Sequence, residues 1–280
     1  MIIDAQSHVT SGQQRVWNRG GSRGSHGEEM PDSDDLLKEM DRAGVDALIL
    51  VPPLGKDKVI DNDTAVQAAQ ERPNRFKVMG RLRPLDDGTL AKLEAWAARP
   101  ETCGIRLSFT AELAGLSLLD EQLRDFWETI ERLRVPIALN APGRAAEVGE
   151  LAQRHETLSV MIDHLGLAPR RHSDDLDTSL QSTLALARRP NVAVKATGLL
   201  ARLPEESIRG HLKDCIRKAI DSFGPSRVFW GSDLSNLDWE YRDYVNFFRE
   251  FLDGLGGNCR ELVMGGAIAA WLGWVPSKDH

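Results

Sequence analysis

Three short stretches of the chain end in side chains able to move protons. They are Asp4-Ala5-Gln6-Ser7-His8, Met161-Ile162-Asp163-His164-Leu165-Gly166 and Phe229-Trp230-Gly231-Ser232-Asp233. In the second and third, an apolar run gives way to a polar residue beside small turn residues. An imidazole can give or take a proton near neutral pH, and an ionised carboxylate can accept one from water. His8, His164 and Asp233 are therefore the candidate catalytic residues. The same trio is the set that would hold a zinc or manganese ion if one binds. Alternate residues of a strand share a face, so Asp4, Gln6 and His8 are expected to point the same way. Asp163 is expected to point away from His164 and to bond neighbouring backbone.

Other polar residues stand in strand-like surroundings. Arg81 and Arg83 straddle the end of one apolar run, and Arg106 lies within the next. A guanidinium there either pairs with an acid of the protein or recognises a substrate carboxylate bidentately. Asn140, in Leu139-Asn140-Ala141-Pro142-Gly143, is an amide donor to substrate or a turn residue. Gln6 can orient water or substrate. Lys195, the charged residue of Ala193-Val194-Lys195-Ala196, is expected to face a helix layer.

The elements that must position these residues alternate. Apolar or β-branched runs at Ile2–Asp4, Ala47–Val51, Lys77–Arg81, Gly104–Leu107, Pro136–Leu139, Ser159–Ile162, Val192–Lys195 and Arg227–Trp230 make eight strands. Amphipathic stretches separate them. Asp32 or Ser33 can cap a helix over Asp34–Ala43 that Gly44 stops, with Leu36, Leu37 and Met40 on one face. Leu123, Phe126, Trp127, Ile130 and Leu133 form a second stripe, and Leu212, Cys215, Ile216, Ala219 and Ile220 a third. Strand–helix alternation predicts βαβ units and a parallel sheet. Eight units predict a closed (β/α)₈ TIM barrel, for which 280 residues suit a single domain spanning 1–280. Gln6-Ser7-His8 after the first strand is no glycine-rich dinucleotide cradle. His8, His164 and Asp233 then follow strands one, six and eight, at the end where barrels carry their chemistry. The stretch 10–31, rich in glycine and arginine, is either a surface loop or a mobile lid over the site.

The net charge of −7 speaks against a nucleic-acid binder. The three cysteines show no disulfide or metal spacing, which fits a reducing cytoplasm. Met264–Trp274 is the longest apolar tract, too short for a bilayer, which takes roughly 20 residues. A small-molecule substrate is the expected partner, and a homo-oligomer is compatible with the chain.

Together these motifs resemble the amidohydrolase superfamily, in its amidohydrolase-related branch, over nearly the whole chain. Asp4-Ala5-Gln6-Ser7-His8 is similar to the opening Asp-x-His-x-His, Ile162–Gly166 to the strand-six histidine motif, and Gly231-Ser232-Asp233 to the strand-eight aspartate motif. Met264-Gly265-Gly266 to Leu272-Gly273 resembles the terminal helix. Two positions depart: Gln6 stands for the first histidine and Asn140 for the strand-five histidine. Amides are far poorer ligands for zinc or manganese than imidazole, so no resident metal is expected. The resemblance is to the branch that includes 2-pyrone-4,6-dicarboxylate lactonase, which implies hydrolysis of a small anionic cyclic ester without a metal. In that reading Asp233 activates water, His164 and Arg106 polarise the carbonyl, and Arg81 and Arg83 help hold the anion. The alternatives are nonoxidative decarboxylation of an aromatic or unsaturated acid, and a catalytically inactive binding barrel.

Overall fold

Eight parallel strands follow one another around the sheet in chain order: β1 Ile3–Ser7, β2 Ala47–Leu50, β3 Phe76–Gly80, β4 Thr102–Ser108, β5 Ile137–Asn140, β6 Val160–Ile162, β7 Val192–Ala196 and β8 Val228–Trp230. The structure is a computed structural model that describes residues 1–11, 31–54, 59–169, 176–203, 205 and 207–276. Eight helices follow the strands in order: α1 Ser33–Ala43, α2 Asn62–Glu71, α3 Thr89–Ala97, α4 Arg124–Leu133, α5 Ala145–Arg154, α6 Leu176–Leu184, α7 Ile208–Phe223 and α8 Tyr241–Asp253. This is a single-domain (β/α)₈ barrel. The expected lid falls largely outside the described residues, but its two ends meet where Thr10 N donates to Pro31 O at 3.0 Å.

The helix signals act as read. The Asp32 carboxylate accepts from Asp35 N at 2.9 Å, and Gly44 leaves α1 at φ 71°. Both ends of the helix are thereby satisfied. The third stripe, Leu212 to Ile220, is buried throughout on α7.

Two apolar layers divide the strands. Leu48, Leu50, Val78, Ile105, Leu107, Val160 and Val194 pack outward against the helices. Ile3, Ala5, Ile49, Met79, Ala138, Met161, Ala193 and Phe229 fill the interior with Ala267 and Ile268 of the C-terminal helix Ala267–Leu272. That segment closes the amino end of the barrel. A Cβ on Gly265 would lie 2.8 Å from Met1 O and 3.0 Å from Ile3 N, so only glycine allows the approach. Polar side chains therefore concentrate at the other end, past the carboxyl ends of the strands.

An irregularity in β1 sets the site. Ile3 pairs with Ala47, Asp4 with Leu48, and Ser7 with Leu50, so three steps on β1 match two on β2. The extra residue reverses the alternation, as a bulge does. Asp4 lies before the shift and, between inward Ile3 and Ala5, shares the outward face with Leu48, while the extra residue lets Gln6 reach inward. The expectation that Asp4, Gln6 and His8 share one face is corrected for Asp4. Its buried carboxylate accepts from Ser232 N at 2.8 Å, from Tyr241 Oη at 2.7 Å and from the Ser232 hydroxyl, tying β1 to the end of β8.

Burial pushes the Asp4 carboxyl up from 3.8 to about 6, against the lowering effect of these hydrogen bonds. A folded-state value above the unfolded one favours the protonated form. The associated stability is therefore present below pH 4 and lost as pH rises through 6, a change on the order of 2–3 kcal/mol. Asp4→Asn keeps an acceptor for Ser232 N and cannot ionise. Its thermal stability relative to the native chain is expected to rise between pH 4 and 7. A relative stability that stays flat across that range would show that Asp4 does not titrate there.

Candidate active site

Asp233 sits where the barrel closes. It has φ 56° and ψ 50°, a left-handed conformation uncommon outside glycine and asparagine, of the kind that clusters at working sites. Its amide donates to Gln6 O at 3.0 Å, which holds the turn after β8 against β1. One carboxylate oxygen accepts from Gln6 Nε2 at 3.3 Å and lies 3.5 Å from His8 Nε2. The other accepts from Asn236 Nδ2 at 3.1 Å. Burial alone would raise its pKa. Its electrostatic attraction to His8, His164 and Arg202 outweighs that and holds the carboxyl well below the usual carboxylate range. Asp233 is therefore ionised throughout the physiological range.

The histidines are set by backbone carbonyls. His8 Nδ1 lies 2.6 Å from Val51 O. A carbonyl only accepts, so Nδ1 carries the proton and Nε2 turns to Asp233. His164 Nδ1 is 2.8 Å from Thr197 O, which protonates it by the same argument. His164, Leu165 and Gly166 all have positive φ, a tight local coil that swings the ring inward after β6. Burial, aided by Arg202, pushes the His164 pKa down to about 3. A neutral ring protonated on Nδ1 presents a lone pair at Nε2. In that state His164 accepts a proton or hydrogen bond at Nε2, while polarising a carbonyl, the role expected of it, takes the doubly protonated ring.

Beneath the trio runs a chain of alternating charge. Asp163 faces the interior rather than away, because it follows Met161 on the inward face of β6. It accepts from Arg106 Nε at 2.8 Å and lies 2.9 Å from Lys195 Nζ. Burial would raise its pKa, but these two cations hold it well below the carboxylate range. Lys195 likewise faces the interior and not a helix layer: its ammonium is buried and donates to Gln6 Oε1 at 2.6 Å. The strand is small and apolar around it because an interior lysine needs room and partners, not because the position faces helices.

The remaining arginines divide. Arg106 spends Nε on Asp163, and no hydrogen bond from its Nη atoms is seen among the described residues. Arg81 donates through Nε to Pro52 O at 2.7 Å and through Nη1 to Glu112 at 2.8 Å, so much of its fork is already engaged. Arg83 is half-buried beyond β3, its carbonyl accepting from Thr89 Oγ1 at 2.7 Å. Asn140 Nδ2 donates to Ser108 Oγ at 2.9 Å and Thr110 Oγ1 at 3.1 Å, on the rim of β4 and β5.

Arg202 was not visible in the sequence. It donates to Leu167 O at 3.2 Å and Gly198 O at 2.6 Å, and its field reaches Asp233. A Cβ on Gly198, at φ 57°, would stand 2.8 Å from both Arg202 Nη1 and Asp233 Oδ2. Glycine after β7 is what permits that approach, and it was the only signal. Among the described residues the interior thus holds Arg81, Arg106, Lys195 and Arg202 with Glu112, Asp163 and Asp233, and Asp4 is buried behind β1, so the cations are closely matched by carboxylates.

A divalent metal does not fit this donor set. Among the described residues no three His, Cys, Asp or Glu side chains are grouped to hold one. The Gln6 carbonyl oxygen is occupied by an ammonium, and Asn140 directs its amide nitrogen at two hydroxyls.

The amidohydrolase family model matches residues 3–274. The chain belongs to the amidohydrolase family, a family of hydrolytic enzymes. An L-fucono-1,5-lactonase of Burkholderia multivorans is 32% identical over 97 residues, 31% of this chain and 32% of that protein. Its counterpart from Burkholderia ambifaria is 29% identical over 137 residues, 46% of each chain. The chain thus matches between a third and a half of the length of these curated relatives. Among solved structures, a zinc-bound amidohydrolase from Burkholderia multivorans superposes with a TM-score of 0.77 at 20% identity, covering 98% of this chain and 100% of that one. A probable 2-pyrone-4,6-dicarboxylic acid hydrolase from Acinetobacter baumannii gives 0.75 at 20% identity over 98% and 99%. A 5-carboxyvanillate decarboxylase from Sphingomonas paucimobilis gives 0.67 at 17% over 98% and 99%. At these identities the structural likenesses speak for the fold alone. No described helix is long and apolar enough to cross a membrane.

Proposed function

We propose that this amidohydrolase opens a small anionic lactone with water activated by Asp233, without a resident metal. The observation that carries the reading is the buried grouping of Asp233 with His8 3.5 Å away and with His164, whose charges shift one another, near the Arg106 guanidinium. Water hydrogen-bonded to His164 Nε2 and Asp233 attacks the ester carbonyl. Asp233 takes its proton, and His8 Nε2 is near enough to take it onward. Arg106 faces the oxygen that becomes negative. The ring carbon–oxygen bond then breaks and the stored proton goes to the departing alkoxide, which leaves a hydroxy acid. The lactonase relatives support the reaction type, and the buried Arg106 guanidinium supports an anionic substrate.

The test is acid release from a panel of aldonolactones, neutral lactones and pyrone carboxylates, before and after treatment with chelator. Hydrolysis of an anionic lactone that survives chelation is expected. Carbon dioxide release from an aromatic acid, with every lactone left intact, would replace this reading with decarboxylation.

A further inference from the structure

We propose that Lys195 is a built-in cation at the barrel centre, which fixes the Gln6 amide against Asp233 and keeps a divalent metal out. The hydrolytic reading gives Lys195 no task, yet it is 1% exposed and joins both halves of the interior. Its ammonium lies 2.9 Å from Asp163 and donates to Gln6 Oε1 at 2.6 Å, while Gln6 Nε2 donates to Asp233 at 3.3 Å. Lysine is almost never buried this fully unless paired, and here both partners are specific.

Gln6 is suited to the link because one end of its amide only accepts and the other only donates. The ammonium takes the acceptor end, so the donor end must face the carboxylate. Without Lys195 the amide could turn over and set its oxygen against Asp233. The same ammonium occupies the space and the acceptor that a dication beside His8 and Asp233 would need. Charges repel more strongly in a low-dielectric interior than in water, and Arg106 adds to the repulsion. The residue at position 6 is then only half of what excludes a metal.

This inference goes beyond the proposed reaction, because its first readout is zinc alone. Zinc chloride is titrated by calorimetry into the chelator-stripped full chain, as the native protein, Gln6→His, and Gln6→His with Lys195→Met. The double variant is expected to bind one zinc at least about a hundredfold more tightly than Gln6→His. Asp163 keeps Arg106 in these variants, so the fold should hold. Lys195→Gln replaces Lys195→Met if circular dichroism shows loss of structure. Equal affinity in the single and double variants, including no binding in either, overturns the proposal, as does one tightly bound zinc in the native chain. With a lactone substrate, Lys195→Met should lower kcat and leave KM within about twofold, because the Gln6 amide is then free to turn over against Asp233. An unchanged kcat, or a loss that falls on KM instead, overturns the positioning half of the proposal.

Discussion

Asp233→Asn is expected to lower kcat by about 10²–10⁴-fold, the usual contribution of general acid–base catalysis. The substitution keeps the shape, and its amide oxygen can still accept from Gln6 Nε2. It removes the negative charge and the basicity, so KM for an anionic lactone should hold or fall slightly. The pH profile supplies the sharper check. Asp233 is held below the usual carboxylate range by His8, His164 and Arg202. The active, ionised form is therefore lost only as pH falls below the ordinary carboxyl value of 3.8. The native acid limb should lie below that value, and the variant should lack it. Near-normal kcat in a folded Asp233→Asn protein would remove Asp233 from the role of base and point to His8 or His164.

The residues that were legible in the sequence lie at strand ends, because strand ends leave a local signature. An apolar run ending in a polar residue, with glycine close by, marked His164 and Asp233 without any knowledge of their partners. The eight strands and the capped helices were legible for the same reason: periodicity and turn chemistry are local. What was not legible depended on register or on distant groups. That Gln6 faces inward while Asp4 faces outward depends on a bulge defined only by pairing with β2. Lys195 and Asp163 lie thirty-two residues apart and explain one another, yet neither sequence context names its partner. Arg202 becomes relevant through a glycine whose missing side chain lets a guanidinium approach a carboxylate. The state of His164 depends on a backbone carbonyl far along the chain, Thr197 O, which accepts the Nδ1 proton.

Arg106→Met should separate substrate charge from substrate chemistry. Arg106 is buried on β4 and bonds Asp163 through Nε, with no hydrogen bond from its Nη atoms seen among the described residues. An arginine fork with two donors to spare matches a carboxylate or a developing oxyanion. Methionine preserves much of the stem, and Asp163 keeps Lys195, so no carboxylate is left unpaired by the change. The penalty on folding should therefore be modest. For an anionic lactone, kcat/KM should fall by about 2–4 kcal/mol, roughly 30- to 1000-fold, the cost of removing one partner of a buried charge contact. How the loss divides identifies the contact. A rise in KM alone assigns Arg106 to a carboxylate of the substrate, and a neutral lactone should then be little affected. A fall in kcat shared by neutral and anionic lactones assigns it to the oxyanion. An Arg106→Met enzyme with unchanged kcat and KM on both substrates would confine Arg106 to its pair with Asp163, and the anionic-substrate reading would lose the arginine on which it chiefly rests.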